Sequence, residues 1–246
     1  MYLRLSALTC VFLCSVGRVY VYTISSANVV TFQSVSYDSN ADANTATMHL
    51  GFSVSATYLS SNNNLLLYVG APNGNEAYGA LYVFVCASPT ATSCTKNYFS
   101  KPFESSNFVG WAVASLPSTD FGVVAGPGWD YSSDGLGAMF FYGPSSGDFS
   151  NANEFEGSAT AVDVAVVSGT NAPVIFFSLY PYSEVFVFYC QSTTSCPVSS
   201  HGSYDYEQIV SPSNSFGFSI AAVVYSGTIY VAVGNPSTIG ACTYTN

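Results

Sequence analysis

A repeat constrains this chain more than any other feature. Four prolines that each close a short apolar run, Pro72, Pro127, Pro181 and Pro236, stand 55, 54 and 55 residues apart. The runs read LLLYVGAP, FGVVAGPG, VIFFSLYP and YVAVGNP, so the third copy has lost the glycine but kept the apolar segment. Repeats of this length stack on their neighbours to bury a common core, which implies propeller blades or an array. Each unit carries a further apolar segment before this run, from His49, Phe108, Ser158 and Phe216, and another after it, from Gly79, Gly137, Ser183 and Gly240. A polar stretch such as TKNYFSKPF or SYDYEQIV closes the unit. β-branched and aromatic residues fill these segments, and Gly, Pro, Asn and Ser punctuate them, which leaves no window for a helix. Three apolar strands and one polar strand predict a four-stranded blade with inner strands buried on both faces and a solvated edge. The expected fold is all-β and β-propeller-like, with about four blades spanning 48–106, 107–156, 157–211 and 212–246.

Composition fits that fold and removes classes of function. Hydrophobic residues make up 49% of the 246-residue chain and aromatic residues 16%, while charged residues reach only 7%, far below the roughly 25% usual in soluble domains. Four basic residues against 14 acidic ones give a formal charge of -10. Such a chain offers no basic surface for nucleic-acid phosphates, so nucleic-acid binding is excluded.

Residues 1–17 carry Arg4, an apolar run from Leu5 to Leu13, and small residues at Ser15 and Gly17. They read as a secretory signal peptide, too short in its apolar part to span a bilayer. Its removal leaves Arg18, Lys96 and Lys101 as the basic residues. No later stretch reads as a membrane span, so the mature chain is expected to be secreted or held at the extracellular surface. The segment 18–47 contains VVTFQSVSY, from Val29 to Tyr37, a candidate for the outer strand that the last unit lacks.

Outside the leader lie Cys86, Cys94, Cys190, Cys196 and Cys242. Cys86 and Cys94, and again Cys190 and Cys196, flank short Ser/Thr loops directly after apolar-aromatic strands. Each pair is expected to close its loop as a disulfide in an oxidising compartment, because a metal site would want tighter spacing and nearby histidine. Cys242 is left over, to pair with a missing segment or another chain.

Gly51-Phe52, Gly110-Trp111 and Phe216-Gly217-Phe218 open the units, and Gly70-Ala71-Pro72 with Gly79-Ala80-Leu81-Tyr82-Val83-Phe84 continues the first. These residues resemble the FG-GAP repeat of integrin α-subunit propellers over 48–246, strongly in the first unit and least in the third. The resemblance implies a β-propeller whose rim binds partners. It also implies calcium loops between first and second strands, but the matching segments TYLSSNNNL, LPSTDF, VSGTNAP and YSG hold only one acid, Asp120. A hard cation needs six to eight converging oxygens, so neither Asn62, Asn63 and Asn64 nor Asp120 is expected to hold a metal, and no cofactor is expected. Propellers of the family usually have seven blades. The chain stops at Asn246 after the third strand of its fourth unit, which favours a partial propeller over a closed four-bladed ring.

Catalytic candidates are few. His49 heads a repeat strand and His201 lies in a Ser-rich stretch, and both read as strand-end or surface residues. The pairs Glu154/Glu156 and Asp205/Glu207 fall on the polar outer strands, where solvated charge guards an edge. Asp163 sits in the inner strand AVDVAVV. Ser118-Thr119-Asp120-Phe121-Gly122 partly resembles the Asp box of sialidases, yet Arg18 alone cannot form the arginine cluster that such enzymes use to clamp a carboxylate.

Recognition is the better reading, and loops joining second to third strands line one rim of a propeller. These loops offer Asn73, Asn75, Glu76 and Tyr78 in the first unit, Trp129, Asp130, Tyr131 and Asp134 in the second, and Tyr180 and Tyr182 in the third. Aromatic area beside acceptors suits protein or sugar recognition. The expected function is a non-catalytic recognition or adhesion module for an extracellular protein or glycan. The alternatives are an accessory or catalytic propeller domain of a secreted hydrolase, and a structural wall or coat component.

Overall fold

Segments that are apolar on both faces have to be covered on both, and the strands of this chain meet that demand by stacking small sheets. The computed structural model describes residues 19, 21–24, 30–33, 50–72, 79–89, 94–99, 109–126, 136–142, 153–156, 161–166, 172–179, 184–190, 192, 206–210 and 219–234. Among these residues the chain is all-β, without a helix.

The first repeat forms a four-stranded meander of β3 (Ser53–Leu59), β4 (Asn64–Ala71), β5 (Ala80–Cys86) and β6 (Cys94–Phe99), preceded by a separate hairpin of β1 (Val21–Ile24) and β2 (Val30–Gln33). The second repeat pairs β7 (Ala112–Ser115), β8 (Phe121–Ala125), β9 (Leu136–Tyr142) and β10 (Asn153–Glu156) in the same order. The third does so with β11 (Ala161–Val166), β12 (Pro173–Leu179), β13 (Glu184–Tyr189) and β14 (Tyr206–Val210). The fourth contributes the hairpin of β15 (Ser219–Tyr225) and β16 (Thr228–Gly234). Every pairing between named strands is antiparallel.

The expected polar strands are the sheet edges: β6, β10 and β14 each stand last in their sheets. Glu154, Glu156 and Glu207 therefore lie on edge strands, where charge blocks further pairing. The segment from Val29 supplies β2, which pairs with β1. The third strand expected of the last unit, and with it any closure by that segment, falls on 235–246, outside the described residues.

The disulfide between Cys86 and Cys94 is present. It joins two residues directly opposed in the β5–β6 ladder and closes the loop of residues 87–93. Cys190 is also disulfide-bonded, while Cys196 and Cys242 lie outside the described residues.

The first strands run through the stack: β3 lies against β7, β7 against β11, and β11 against β15. The sheets also meet through apolar side chains. Leu66 and Tyr68 of β4 and Leu81 and Val83 of β5 pack with Val124 of β8 and the half-buried Val113 of β7. Val174, Phe176, Val185 and Val187 of the third sheet pack with Ile229, Val231 and Val233 of the fourth. The other face of the first sheet, with Leu65, Leu67, Val69, Tyr82 and Phe84, is covered in part by Val19 and Leu50.

Between β3 and β7 the contact is polar. Ser53, Ser55 and Thr57 occupy alternate positions and so share one face of β3. Ser53 Oγ donates to the Gly110 carbonyl oxygen at 2.8 Å, and the Ser55 and Ser115 hydroxyls share a hydrogen bond of 2.7 Å. Buried Thr57 donates through Oγ1 to the Leu116 carbonyl at 3.2 Å and accepts from the Ser118 N–H at 2.8 Å. Three hydroxyls thus stitch the first sheet to the second along the length of the inner strand.

At the Gly70 end the backbones themselves touch. A Cβ on Gly70 would run into the Gly110 carbonyl oxygen and Ser53 Oγ. A Cβ on Gly110, whose φ is +90°, would meet the Ala80 carbonyl and lie 2.6 Å from the Ala71 nitrogen. In register, Ser53 stands opposite Gly70, Ala112 opposite Ala125, Ala161 opposite Ser178, and Ser219 opposite Gly234. The residue at the Gly70 position of the second unit is therefore Ala125 and not Gly126, and buried Ser178 takes the place in the third.

Two expectations follow. Thr57→Val keeps the side-chain shape but strands the Ser118 N–H, and should lower the urea-unfolding free energy by about 1–3 kcal/mol. Gly110→Ala adds overpacking to an unfavourable φ and should cost about 2–4 kcal/mol in the same assay, with Ala112→Gly as a control on the strand that follows.

Candidate functional site

Because Ser53 at the start of β3 pairs with Gly70 at the end of β4, the start of each first strand and the loop after each second strand lie at the same end of a sheet. That end is locally well specified. Gly51 N–H donates to the Gly70 carbonyl at 3.0 Å, and Gly110 N–H donates to the Ala125 carbonyl at 3.2 Å, the same bond in successive repeats. Ala80 N–H donates to the Val109 carbonyl at 2.9 Å, and Gly79 forms a parallel bridge with Val109. The first and second sheets are thus tied by backbone hydrogen bonding at this end.

The two glycines present the aromatic residues that follow them. Gly51 and Gly110 have φ of 87° and 90°, a region that L-residues enter only at a cost. Phe52 and Trp111 consequently leave the chain at matching points just ahead of β3 and β7. Their rings stand 4.7 Å apart between centroids, tilted by 44°, yet they stay 39% and 37% exposed. Such a pair is an amphipathic platform on a rigid base, with the indole N–H as a polar handle. Phe52 and Trp111 are legible in the sequence as parts of a recurring Gly-aromatic motif, but their pairing across two units is not.

The loops expected to recognise a partner leave from the same ends. Asn73, Asn75, Glu76 and Tyr78 lie between Ala71 and Ala80, which stand opposite each other in the β4–β5 ladder. Trp129, Asp130, Tyr131 and Asp134 fall between β8 and β9, and Tyr180 and Tyr182 between β12 and β13. All ten lie outside the described residues.

The opposite end is closed by its own turns. Tyr58 Oη donates to Asn63 Oδ1 at 2.8 Å, and Asn64 N–H donates to Asn62 Oδ1 at 3.1 Å. Two of the amide oxygens in this loop are therefore engaged within the turn. In the next unit the Leu116 carbonyl accepts from the Thr119 N–H at 3.3 Å and from Thr119 Oγ1 at 3.0 Å, shaping the turn before Asp120. Among the described residues no three His, Cys, Asp or Glu side chains gather, and no helix is long and apolar enough to cross a membrane. Asp163 stands opposite Phe176 in the β11–β12 register.

Among the described residues, Tyr68 is strongly shifted. Burial pushes the Tyr68 phenol well above its ordinary range, and the negative charge of Asp120 adds to the effect. The folded state then keeps a proton that the unfolded chain releases near pH 10. Tyr68 therefore contributes its full share of stability below that pH and loses it as the pH rises further. Thermal unfolding followed from pH 8 to pH 11 should show a steeper alkaline decline for the wild type than for Tyr68→Phe.

No protein-family model and no curated protein matches the chain.

Proposed function

We propose that this chain is a set of FG-GAP-like β-propeller blades, secreted or held at the cell surface, that acts as a non-catalytic recognition or adhesion module. Its partner is an extracellular protein or glycan, bound at the end of the blades where the second-to-third-strand loops leave. The observation that carries this reading is the Phe52–Trp111 pair. Two large aromatic side chains remain exposed against each other on a base fixed by hydrogen bonds, and such anchors dominate binding energy where they occur. The contact of each first strand with the next supports a propeller-like stack, and Gly70 of the Gly-Ala-Pro element and Gly110 of the next Gly-aromatic element meet at the close backbone approach between the first two units.

The sequence supports a binding role over a chemical one. It holds two His and four basic residues, a thin supply of bases and anion clamps for catalysis. The cross-strand disulfide between Cys86 and Cys94 supports an oxidising compartment.

Immobilised panels of glycans and of extracellular-matrix proteins test the reading. The signal-cleaved wild-type protein should bind at least one class on the panels. Phe52→Ala with Trp111→Ala should weaken that binding at least tenfold, about 1.4 kcal/mol or more, while unfolding as cooperatively as wild type. Binding that the double variant retains in full would contradict the proposed site, and a wild type silent on every panel would contradict the proposed role.

A further inference from the structure

The size and charge of the Phe52–Trp111 pair restrict what can sit on it. Among the described residues of the first two units, these are the only large apolar side chains left exposed. The hydrogen-bonded base beside them is built by Gly51, Gly70, Ala80, Gly110 and Ala125, which have no side chain or a single methyl group. A protein partner needs a broad patch, roughly 800 Å² a side, with a ring of further side chains around the anchors to exclude water. A sugar ring needs far less area. One C–H face lies on an aromatic face, while the hydroxyls point outward and supply a polar rim of their own.

Charge narrows the sugar. The chain carries a formal charge of -10, and residues 50–72, 79–89 and 109–126 hold one charged side chain, Asp120, in the turn between β7 and β8 at the end away from the rings. Lys96, the one cation among the described residues, stands opposite Phe84 in the β5–β6 ladder, 5.6 Å from the centroid of the Tyr82 ring. Sulfated or sialylated chains would bring anions to an acidic protein that shows no basic side chain beside the pair to receive them. A neutral chain meets no such opposition. Hexopyranoses whose substituents are all equatorial, such as β-linked glucose or N-acetylglucosamine, keep both ring faces free of hydroxyls and so can stack, with the indole N–H as a donor at the edge.

We propose that the Phe52–Trp111 pair takes a neutral glycan of equatorially substituted hexopyranose rings, stacked through their C–H faces. This rests on the recognition role proposed above and selects the glycan over the protein as its partner. Two rings tilted by 44° offer faces at an angle and not one plane, so successive residues of a chain fill the site better than a single sugar.

Chitohexaose and cellohexaose, titrated into the isotope-labelled signal-cleaved chain beside a heparin hexasaccharide, test this directly. The chain holds two Trp, and the indole N–H resonance of Trp111 is the one that Trp111→Phe removes. At least one neutral hexamer should shift that resonance saturably, with a Kd between about 10 µM and 1 mM and at least about tenfold below that of its monosaccharide. The Kd should change by less than about twofold between about 0.02 and 0.5 M salt, since no charge pair is involved. By calorimetry, Trp111→Phe keeps a stacking face and should weaken binding only a few-fold, whereas a cooperatively folded Trp111→Ala should weaken it at least about tenfold. Heparin bound as tightly as the neutral hexamers, or a resonance that neither neutral hexamer moves, would overturn the proposal. If both hexamers are silent while a matrix protein binds through Phe52 and Trp111, the glycan assignment fails and the recognition role stands; silence towards every glycan and protein removes both.

Discussion

Where β3 meets β7, hydroxyl groups do the joining. Ser53, Ser55 and Thr57 reach the Gly110 carbonyl, the Ser115 hydroxyl, the Leu116 carbonyl and the Ser118 N–H. Each such bond is worth only about 1 kcal/mol net, but leaving a buried partner unmet costs more. A face of this kind therefore fixes registry more than it adds stability. Leucines on the same positions would fill space equally well in several slid arrangements, whereas four hydrogen bonds from three alternate residues are met in one. The close approach of Gly70 to Gly110 has the same consequence, since the backbone of one sheet sits where a side chain of the other would be.

From that junction the rest follows. Fixing β3 on β7 brings Leu66, Tyr68, Leu81 and Val83 against Val113 and Val124, and closes the core between the first two sheets. It also fixes Gly51 and Gly110, which precede β3 and β7, and so sets Phe52 against Trp111. The aromatic pair depends on the packing of two separate repeats. A change at Gly110 or Thr57 should thus disturb the proposed binding end and the core together, whereas a change at Trp111 should disturb only the former.

Much of the strand architecture is legible in the sequence because apolar runs separated by turn residues at a regular interval leave few other options. The second and third segments of the first unit, LLLYVGAP and GALYVFVC, fall on β4 and β5, and the polar TKNYFSKPF overlaps the edge strand β6. Cys86 and Cys94 are legible as a pair because a short loop after a strand places them across one ladder. The junction is not legible in the same way. Ser53, Ser55 and Thr57 are polar residues in a strand expected to be buried on both faces, and only the neighbouring sheet supplies the partners they meet there. The repeat equivalence is also blurred: Ala125 stands where the spelling of the motif suggests Gly126, because the ladder, and not the distance to proline, decides which residue faces the start of the first strand. The loops richest in recognition chemistry, around Tyr78 and Trp129, are readable only as sequence.

The most direct test of this account is a covalent one across the β3–β7 junction. The Ser55 and Ser115 hydroxyl oxygens lie 2.7 Å apart, so the double variant Ser55→Cys, Ser115→Cys should form a disulfide spontaneously during oxidative folding. Peptide mapping under non-reducing conditions should recover a 55–115 bridge in a protein that unfolds cooperatively and no earlier than wild type. Free thiols at both positions in the folded protein, or a bridge that forms only with loss of the fold, would contradict the stacking of the first two sheets through their inner strands.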